Sequence, residues 1–267
     1  MEIKDILIID DEEVILDAVK KIGKMEGFSV DTALTPFLAL NMLDKQGYKL
    51  ILCDIMMPEM DGFQLMDELY NRKLNIPVIM ITGYSTVENA VKSLYKGAID
   101  FIPKPFTFDE LMSSVYRGFK YLELQKQIDG TQYNSNRDSI IYVPCPPKYM
   151  RLGFTSWMVL EQEGVAVVGA TDFFLRTVDT IANIELMKKD DVFYQGNSCV
   201  QIKSSDGLVH KFMAPVGGKI IERNEKLIEN VSLLEKDPYF DGWIYRLIPA
   251  DIEYDMKYLI TCSSDRI

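Results

Sequence analysis

Five side chains in the first 105 residues have the types and the order needed to accept a phosphoryl group. Asp10 and Asp11 follow the apolar run Ile6-Leu7-Ile8-Ile9. Asp54 ends the run Leu50-Ile51-Leu52-Cys53 and is followed by Ile55-Met56-Met57-Pro58; Thr82 ends Val78-Ile79-Met80-Ile81, and Lys104 stands before Pro105. A carboxylate that ends a buried run is presented at the carboxyl end of a strand. Three such carboxylates held together repel one another, and a hard, oxygen-seeking divalent cation relieves the repulsion, so the cluster implies Mg2+. A carboxylate nucleophile, a hydroxyl and a lysine ammonium complete the set: Asp54 attacks in line, and the cations offset charge on the phosphoryl oxygens. Asp10 and Asp11 are assigned to the metal, and Thr82 and Lys104 to phosphoryl oxygens.

These positions need a scaffold that brings several strand ends to one edge. Apolar runs at 5–9, 28–33, 50–53, 78–81 and 99–102 alternate with helix-length segments, which predicts a doubly wound α/β fold with a five-stranded parallel sheet. Thr35 before Pro36, and Ser85 past the fourth strand, are good helix starts; Gly27, Gly47 and Gly97 stand where helices should stop. In such a sheet the carboxyl ends of the strands share the binding edge.

With these residues placed, positions 1 to 125 resemble a response regulator receiver domain. The resemblance rests on Asp10-Asp11, on Asp54 within Asp-Ile-Met-Met-Pro-Glu-Met-Asp-Gly, on Thr82-Gly83 and on Lys104-Pro105-Phe106. It implies phosphotransfer from a histidine kinase or phosphotransfer protein, Mg2+ bound also by the Met56 backbone carbonyl, and a cis Lys104-Pro105 peptide. It further implies a switch in which Thr82 engages the phosphoryl group and Phe101 turns inward, shifting a pre-existing equilibrium on the face of the fourth helix, fifth strand and fifth helix. Phe101 as a plain core residue is the alternative. Met56 and Tyr84, each two residues past a site residue, are expected to tune water access.

A long helix from Thr107 to about residue 128, then the polar run Asp129 to Asp138 and the prolines from Pro144 to Pro147, make a connector over 126–147. Residues 148–250 carry short, glycine-punctuated strand signals at 154–160, 165–168, 180–186, 198–203, 208–213 and 218–222, with a capped helix at 171–176, which argues for a mainly β barrel or sandwich. Residues 251–267, with Ile252, Met256 and Leu259, read as an amphipathic tail.

The second half resembles the glycine cleavage system H protein, a lipoyl-carrier fold, through Thr155-Ser156-Trp157, residues 165–172, 179–186 and 214–224, and Asp241-Gly242-Trp243. In that family a hairpin-tip lysine carries lipoate. The corresponding position here falls on Asp206 or Gly207 within Ser204-Ser205-Asp206-Gly207-Leu208, so no lipoate is expected. Asp-Gly is the dipeptide a type I' turn prefers, so such a turn is predicted. Lys203 on the flank is the residue a carrier role would require to be modified, and His210 is expected to be a strand residue.

The formal net charge is -11, and the segment from residue 145 carries -4, with no Lys/Arg cluster longer than Lys188-Lys189. This disfavours nucleic acid and anionic lipid as partners. No apolar run reaches the roughly 20 residues of a membrane span, and the start lacks a signal-peptide layout, so a cytoplasmic location is expected. Cys53, Cys145, Cys199 and Cys262 show no CxxC spacing and are expected to be reduced thiols. Together these features predict a signalling protein, not an enzyme, with Asp54 as acceptor and output through an unidentified protein partner. The alternatives are a regulator or carrier in lipoate or glycine metabolism and, behind it, a DNA-binding regulator. A phosphorylation-dependent homodimer is left open.

Overall fold

In the computed structural model, residues 3–84, 86–133 and 142–265 are described. The chain divides into two units, Met1–Ser85 with Lys96–Glu123, and Thr86–Tyr95 with Leu124–Ile267. The first half runs β1 (Ile3–Ile9), α1 (Glu13–Met25), β2 (Val30–Ala33), α2 (Pro36–Leu43), β3 (Gly47–Asp54), α3 (Gly62–Asn71), β4 (Val78–Thr82), α4 (Val87–Tyr95), β5 (Asp100–Pro103) and α5 (Phe108–Tyr133). The sheet is wholly parallel in the order β2-β1-β3-β4-β5. Winding starts at β1, goes outward to β2 and returns across β1 to β3, so the reversal lies between β1 and β3. That is where a doubly wound sheet opens a binding crevice.

Strand alternation builds this unit's core. Ile6 and Ile8 of β1, Leu50 and Leu52 of β3, and Ile79 and Ile81 of β4 share one cluster with Leu16 and Val19 of α1 and Leu111, Met112 and Val115 of α5. Leu7, Ile9, Ile51, Cys53 and Met80 alternate with them and are equally buried. A strand buried on both faces must be apolar at every position, which explains the unbroken runs. One expected helix start is seen, where Thr35 Oγ1 accepts the Leu38 N–H; Ser85 lies outside the described residues, and at the start of α4 Thr86 Oγ1 accepts the Asn89 N–H, while Asp61 with Gln64 forms a reciprocal capping box on α3.

The long helix does not stop at the polar run beginning at Asp129; α5 continues to Tyr133. The backbone of Gly130 has no positive φ, so this glycine does not serve as a helix stop. The remainder of the expected polar connector, 134–141, lies outside the described residues.

The later residues form β6 (Met150–Leu152), β7 (Ser156–Leu160), β8 (Ala166–Ala170), α6 (Asp172–Thr177), β9 (Ile181–Leu186), β10 (Val192–Phe193), β11 (Ser198–Ser204), β12 (Val209–Met213), β13 (Gly218–Arg223), α7 (Lys226–Glu229), α8 (Ser232–Lys236), β14 (Tyr245–Pro249), α9 (Ile252–Asp255) and β15 (Ile260–Thr261). A seven-stranded antiparallel sheet, β10-β13-β14-β8-β7-β6-β15, accompanies a three-stranded one, β12-β11-β9. Val168, Ala170, Ile184, Val200, Ile202, Phe212, Val216, Ile220 and Leu247 are buried in one apolar cluster drawn from both sheets, the organisation of a barrel-sandwich.

Trp157 is 1% exposed and donates its indole N–H to the carbonyls of Ala170 (2.9 Å) and Pro238 (3.2 Å). Gly169 is required beside it, because a Cβ there would lie 2.5 Å from the ring. In the stretch from Asp251, α9 is four residues long, and the chain then enters the sheet as β15, paired with β6.

Two cysteines depart from the expected reduced state. Cys145 and Cys262 form a disulfide across 117 residues of sequence, with Cα atoms 5.7 Å apart, while Cys53 and Cys199 are free and buried. A partner so distant in sequence leaves no spacing signature, which is why the pair was not foreseen. Among the described residues no helix is long and apolar enough to cross a membrane.

Candidate functional site

Four of the expected residues stand at carboxyl strand ends of the parallel sheet. Asp10 follows the last residue of β1, Asp54 and Thr82 close β3 and β4, and Lys104 follows β5. The registers set the strands level: Ile9 pairs with Cys53, Asp54 with Ile81, and Thr82 with Pro103. The Lys104-Pro105 peptide is cis, and the Lys104 N–H donates to the Thr82 carbonyl at 2.8 Å.

Lys104 draws the acidic groups together. Its Nζ is 2.7 Å from Asp10 Oδ2 and 3.3 Å from Asp54 Oδ1, and the three side chains are 9% exposed or less. A third carboxylate, Glu12, places Oε1 at 3.0 Å from the same nitrogen. The sequence reading missed Glu12, although it is the third acid of the run Asp10-Asp11-Glu12 and stands where the first helix begins. Asp10 Oδ1 accepts the Glu12 N–H at 3.0 Å, which fixes the orientation of its carboxylate.

The two oxygens of Asp54 are not equivalent. Oδ2 accepts the Met56 N–H at 2.9 Å, whereas Oδ1 is buried without a hydrogen-bond partner and has Lys104 at ion-pair distance. A buried carboxylate oxygen left unpaired is costly, and a site that keeps one is poised for a ligand. Burial raises the pKa of Asp54, and the Asp10 charge raises it further against the lowering effect of Lys104. Burial likewise raises that of Asp10. At Lys104 burial alone would lower the pKa, but hydrogen bonds to Asp10 and Glu12 and the charges of Asp54 and Asp10 outweigh it, so the ammonium is stabilised.

The other expected residues lie around this centre. Thr82 is fully buried and its Oγ1 accepts the Tyr84 N–H at 3.2 Å. Phe101 is buried on β5, while Asp11 is exposed just past β1. The Met56 and Tyr84 side chains are 50% and 65% exposed. Beneath Asp54, the Gly62 N–H donates to the Ile55 carbonyl at 2.9 Å, and a Cβ on Gly62 would lie 2.3 Å from the Asp54 carbonyl oxygen. This close approach accounts for the glycine at the end of the Asp54-to-Gly62 motif.

Among the described residues no group of three or more His, Cys, Asp or Glu stands at metal-holding distance. The donor set nevertheless suits Mg2+: two buried carboxylates share one edge, one of them with an orphaned oxygen. Mg2+ usually keeps several waters and takes only one or two carboxylates.

At the β11–β12 hairpin, Gly207 alone of the two tip residues has positive φ (91°), so the turn is not type I'. The Gly207 N–H donates to the Ser204 carbonyl and the Ser204 N–H to the Leu208 carbonyl, each at 3.0 Å. Asp206 Oδ1 accepts the Leu208 N–H at 3.1 Å and the Ser204 hydroxyl, which lets the aspartate stabilise the turn without a left-handed backbone. Ser204 Oγ also lies 3.0 Å from Nε2 of His210, a buried strand residue. Lys203 is exposed on the flank.

Comparison with known proteins agrees with both halves. Residues 6–116 match the response regulator receiver domain, and residues 149–265 match the glycine cleavage H-protein. The regulatory protein AtoC of Escherichia coli is 36% identical over 126 residues, which is 47% of this chain and 27% of AtoC. The nitrogen assimilation regulatory protein NtrX of Azorhizobium caulinodans is 36% identical over 46% of this chain and 28% of its own length. The chain therefore spans about a quarter of each of these relatives.

Among solved structures, the receiver domain of NtrX from Brucella abortus is 37% identical, covers 43% of this chain and 97% of its own, and gives a TM-score of 0.41. A glycine cleavage system H protein from Mycobacterium marinum is 20% identical over 42% of this chain and 97% of its own, with a TM-score of 0.37. This chain carries a response regulator receiver domain followed by a domain similar to the glycine cleavage H-protein.

Proposed function

We propose that the chain is a two-component response regulator that accepts a phosphoryl group on Asp54 from a histidine kinase or phosphotransfer protein. The observation that carries this reading is the asymmetry of the Asp54 carboxylate, with Oδ2 held by the Met56 N–H and Oδ1 buried, without a hydrogen-bond partner and 3.3 Å from the Lys104 ammonium. Oδ1 attacks phosphorus, and the bond from phosphorus to the donor breaks as the acyl phosphate forms. Lys104 offsets negative charge on one phosphoryl oxygen, and the Thr82 hydroxyl turns from the Tyr84 N–H to donate to another. Mg2+, when bound by Asp10, Asp11, Asp54 and the Met56 carbonyl, supplies further charge compensation. Thr82 and Phe101 together make the switch.

Output passes through protein contact by the H-protein-like domain, and the protein acts without an enzymatic activity beyond its own phosphorylation and dephosphorylation. The hairpin tip has turn residues where a carrier has its lysine, so the domain works without lipoate. A carrier or regulatory role in lipoate or glycine metabolism is the second reading, favoured only by exposed Lys203 beside the tip.

One experiment tests the acceptor. Full-length protein incubated with acetyl phosphate and Mg2+ gains the mass of one phosphoryl group, and Asp54→Asn does not. Absence of the gain in the wild type refutes the assignment, and a lipoyl adduct on Lys203 in the intact mass favours the second reading. Light scattering with and without beryllofluoride reports whether activation also assembles a homodimer.

A further inference from the structure

We propose that Glu12 is a positioning residue that opposes phosphorylation by holding Lys104 from the solvent side and placing a fixed negative charge beside the incoming phosphoryl group; this rests on Asp54 being the acceptor. Glu12 occupies the N-cap of α1, yet its side chain makes no capping hydrogen bond. Ser, Thr, Asp or Asn would ordinarily cap there. The Glu12 carboxylate is spent instead on Lys104 Nζ, at 3.0 Å. Its backbone is anchored: the N–H donates to Asp10 Oδ1, and the carbonyl accepts the N–H groups of Ile15 and Leu16. The charge therefore hangs from a fixed Cα.

An ammonium has three N–H donors, and around Lys104 stand three carboxylates, Asp10, Asp54 and Glu12. Two of those are buried beside the lysine, whereas the Glu12 side chain is 61% exposed and approaches it from the solvent side.

Two opposite effects of Glu12 have to be weighed. By steadying Lys104 it could assist the reaction, but a pair with one partner so exposed contributes at most about a fivefold effect, and often none. By its charge it opposes the reaction. Glu12 Oε1 lies at most about 6 Å from Asp54 Oδ1, judged from their separations from Lys104. Even at the dielectric constant of water, like charges at that separation disfavour binding about threefold per unit charge, and more where the site is partly dry. Forming the acyl phosphate trades the single charge of the Asp54 carboxylate for close to two on the phosphoryl oxygens, a net gain of about one. Because Lys104, Asp10 and Asp54 are each 9% exposed or less, the effective dielectric constant lies below that of water and the repulsion exceeds the steadying effect.

The test measures beryllofluoride affinity of the full-length protein at saturating Mg2+ by calorimetry, with a separate Mg2+ titration of each variant. Glu12→Gln binds beryllofluoride three- to tenfold more tightly than wild type, and this gain shrinks at high salt. Glu12→Asp, which keeps the charge but withdraws it by one methylene, stays closer to wild type than Glu12→Gln. Equal or weaker binding by Glu12→Gln with an unchanged melting temperature overturns the proposal, as does a gain insensitive to salt. If the wild type binds no beryllofluoride with Mg2+ present, the acceptor reading itself falls, and this inference with it.

Discussion

Replacing Gly62 by alanine tests whether the strand that ends in Asp54 has any room beneath it. A Cβ on Gly62 would stand 2.3 Å from the Asp54 carbonyl oxygen, 2.8 Å from Met80 Cε and 3.1 Å from Ile55 Cα. The methionine methyl is the end of a flexible chain and can move aside. The carbonyl cannot, because it belongs to the last residue of a central strand, so β3 and α3 must separate by about 1 Å to restore ordinary contact. Forcing a methyl into a packed site of this kind costs about 1–3 kcal/mol. The better helix propensity of alanine returns at most about 1 kcal/mol, and less at the first helical position. A net loss of about 1–2 kcal/mol lowers the melting temperature of the receiver transition by about 4–15 °C. The displacement also carries the Asp54 carboxylate away from Lys104, and a misplacement of this size costs on the order of 100-fold in rate. Urea and thermal melts of the full chain measure the first effect, and the rate of mass gain from acetyl phosphate the second. Gly47→Ala is the control, since its Cβ would meet only Ile3 atoms at 3.4 Å and beyond. If Gly62→Ala melts and reacts like wild type, the tight approach is not a constraint and the account of the motif is wrong.

Three further outcomes follow from the same geometry. Burial raises the pKa of Asp54, so its contribution to stability is present below the unfolded carboxylate value and is lost as pH rises through the folded value. Asp54→Asn therefore melts higher than wild type at neutral pH, by an amount on the order of 1 kcal/mol, and the gap closes in acid; a lower melting temperature at pH 7 would contradict this. Trp157→Phe strands the Ala170 and Pro238 carbonyls and removes buried ring atoms, and should cost the β unit about 1–3 kcal/mol in chemical denaturation, with no change in the phosphorylation rate. Reducing the Cys145–Cys262 bond opens a loop of 117 residues and should lower the β unit's stability by about 4–5 kcal/mol, read as a shift in urea midpoint that Cys145→Ser abolishes.

The sequence made the parallel sheet legible because its strands are buried on both faces and so appear as unbroken apolar runs. Each expected strand is present, with ends displaced by at most three residues, as where β3 begins at Gly47 and not at Leu50. The positions of the candidate site residues were legible for a related reason. Asp10, Asp54, Thr82 and Lys104 all stand at or just past a strand end, so a single rule about strand termini located them. Glu12 escaped that rule because its backbone opens a helix and only its side chain reaches Lys104. In the β half, strands of five or more residues were visible with the exception of β14, but β6, β10 and β15, of two or three residues, have no period to detect. β14 was missed as well, although Tyr245–Pro249 is five residues long. The Asp206-Gly207 turn was misjudged in type because the aspartate side chain satisfies the loop where a left-handed backbone was expected.

The bond between Cys145 and Cys262 changes how the H-protein-like domain would respond to a cut or a pull. With the two cysteines joined, a protease that severs any single peptide link from Pro146 to Thr261 leaves both pieces covalently attached. Tension applied at Cys145 passes directly to the last turn, bypassing the ladder of β6, which would otherwise be peeled from its neighbours first.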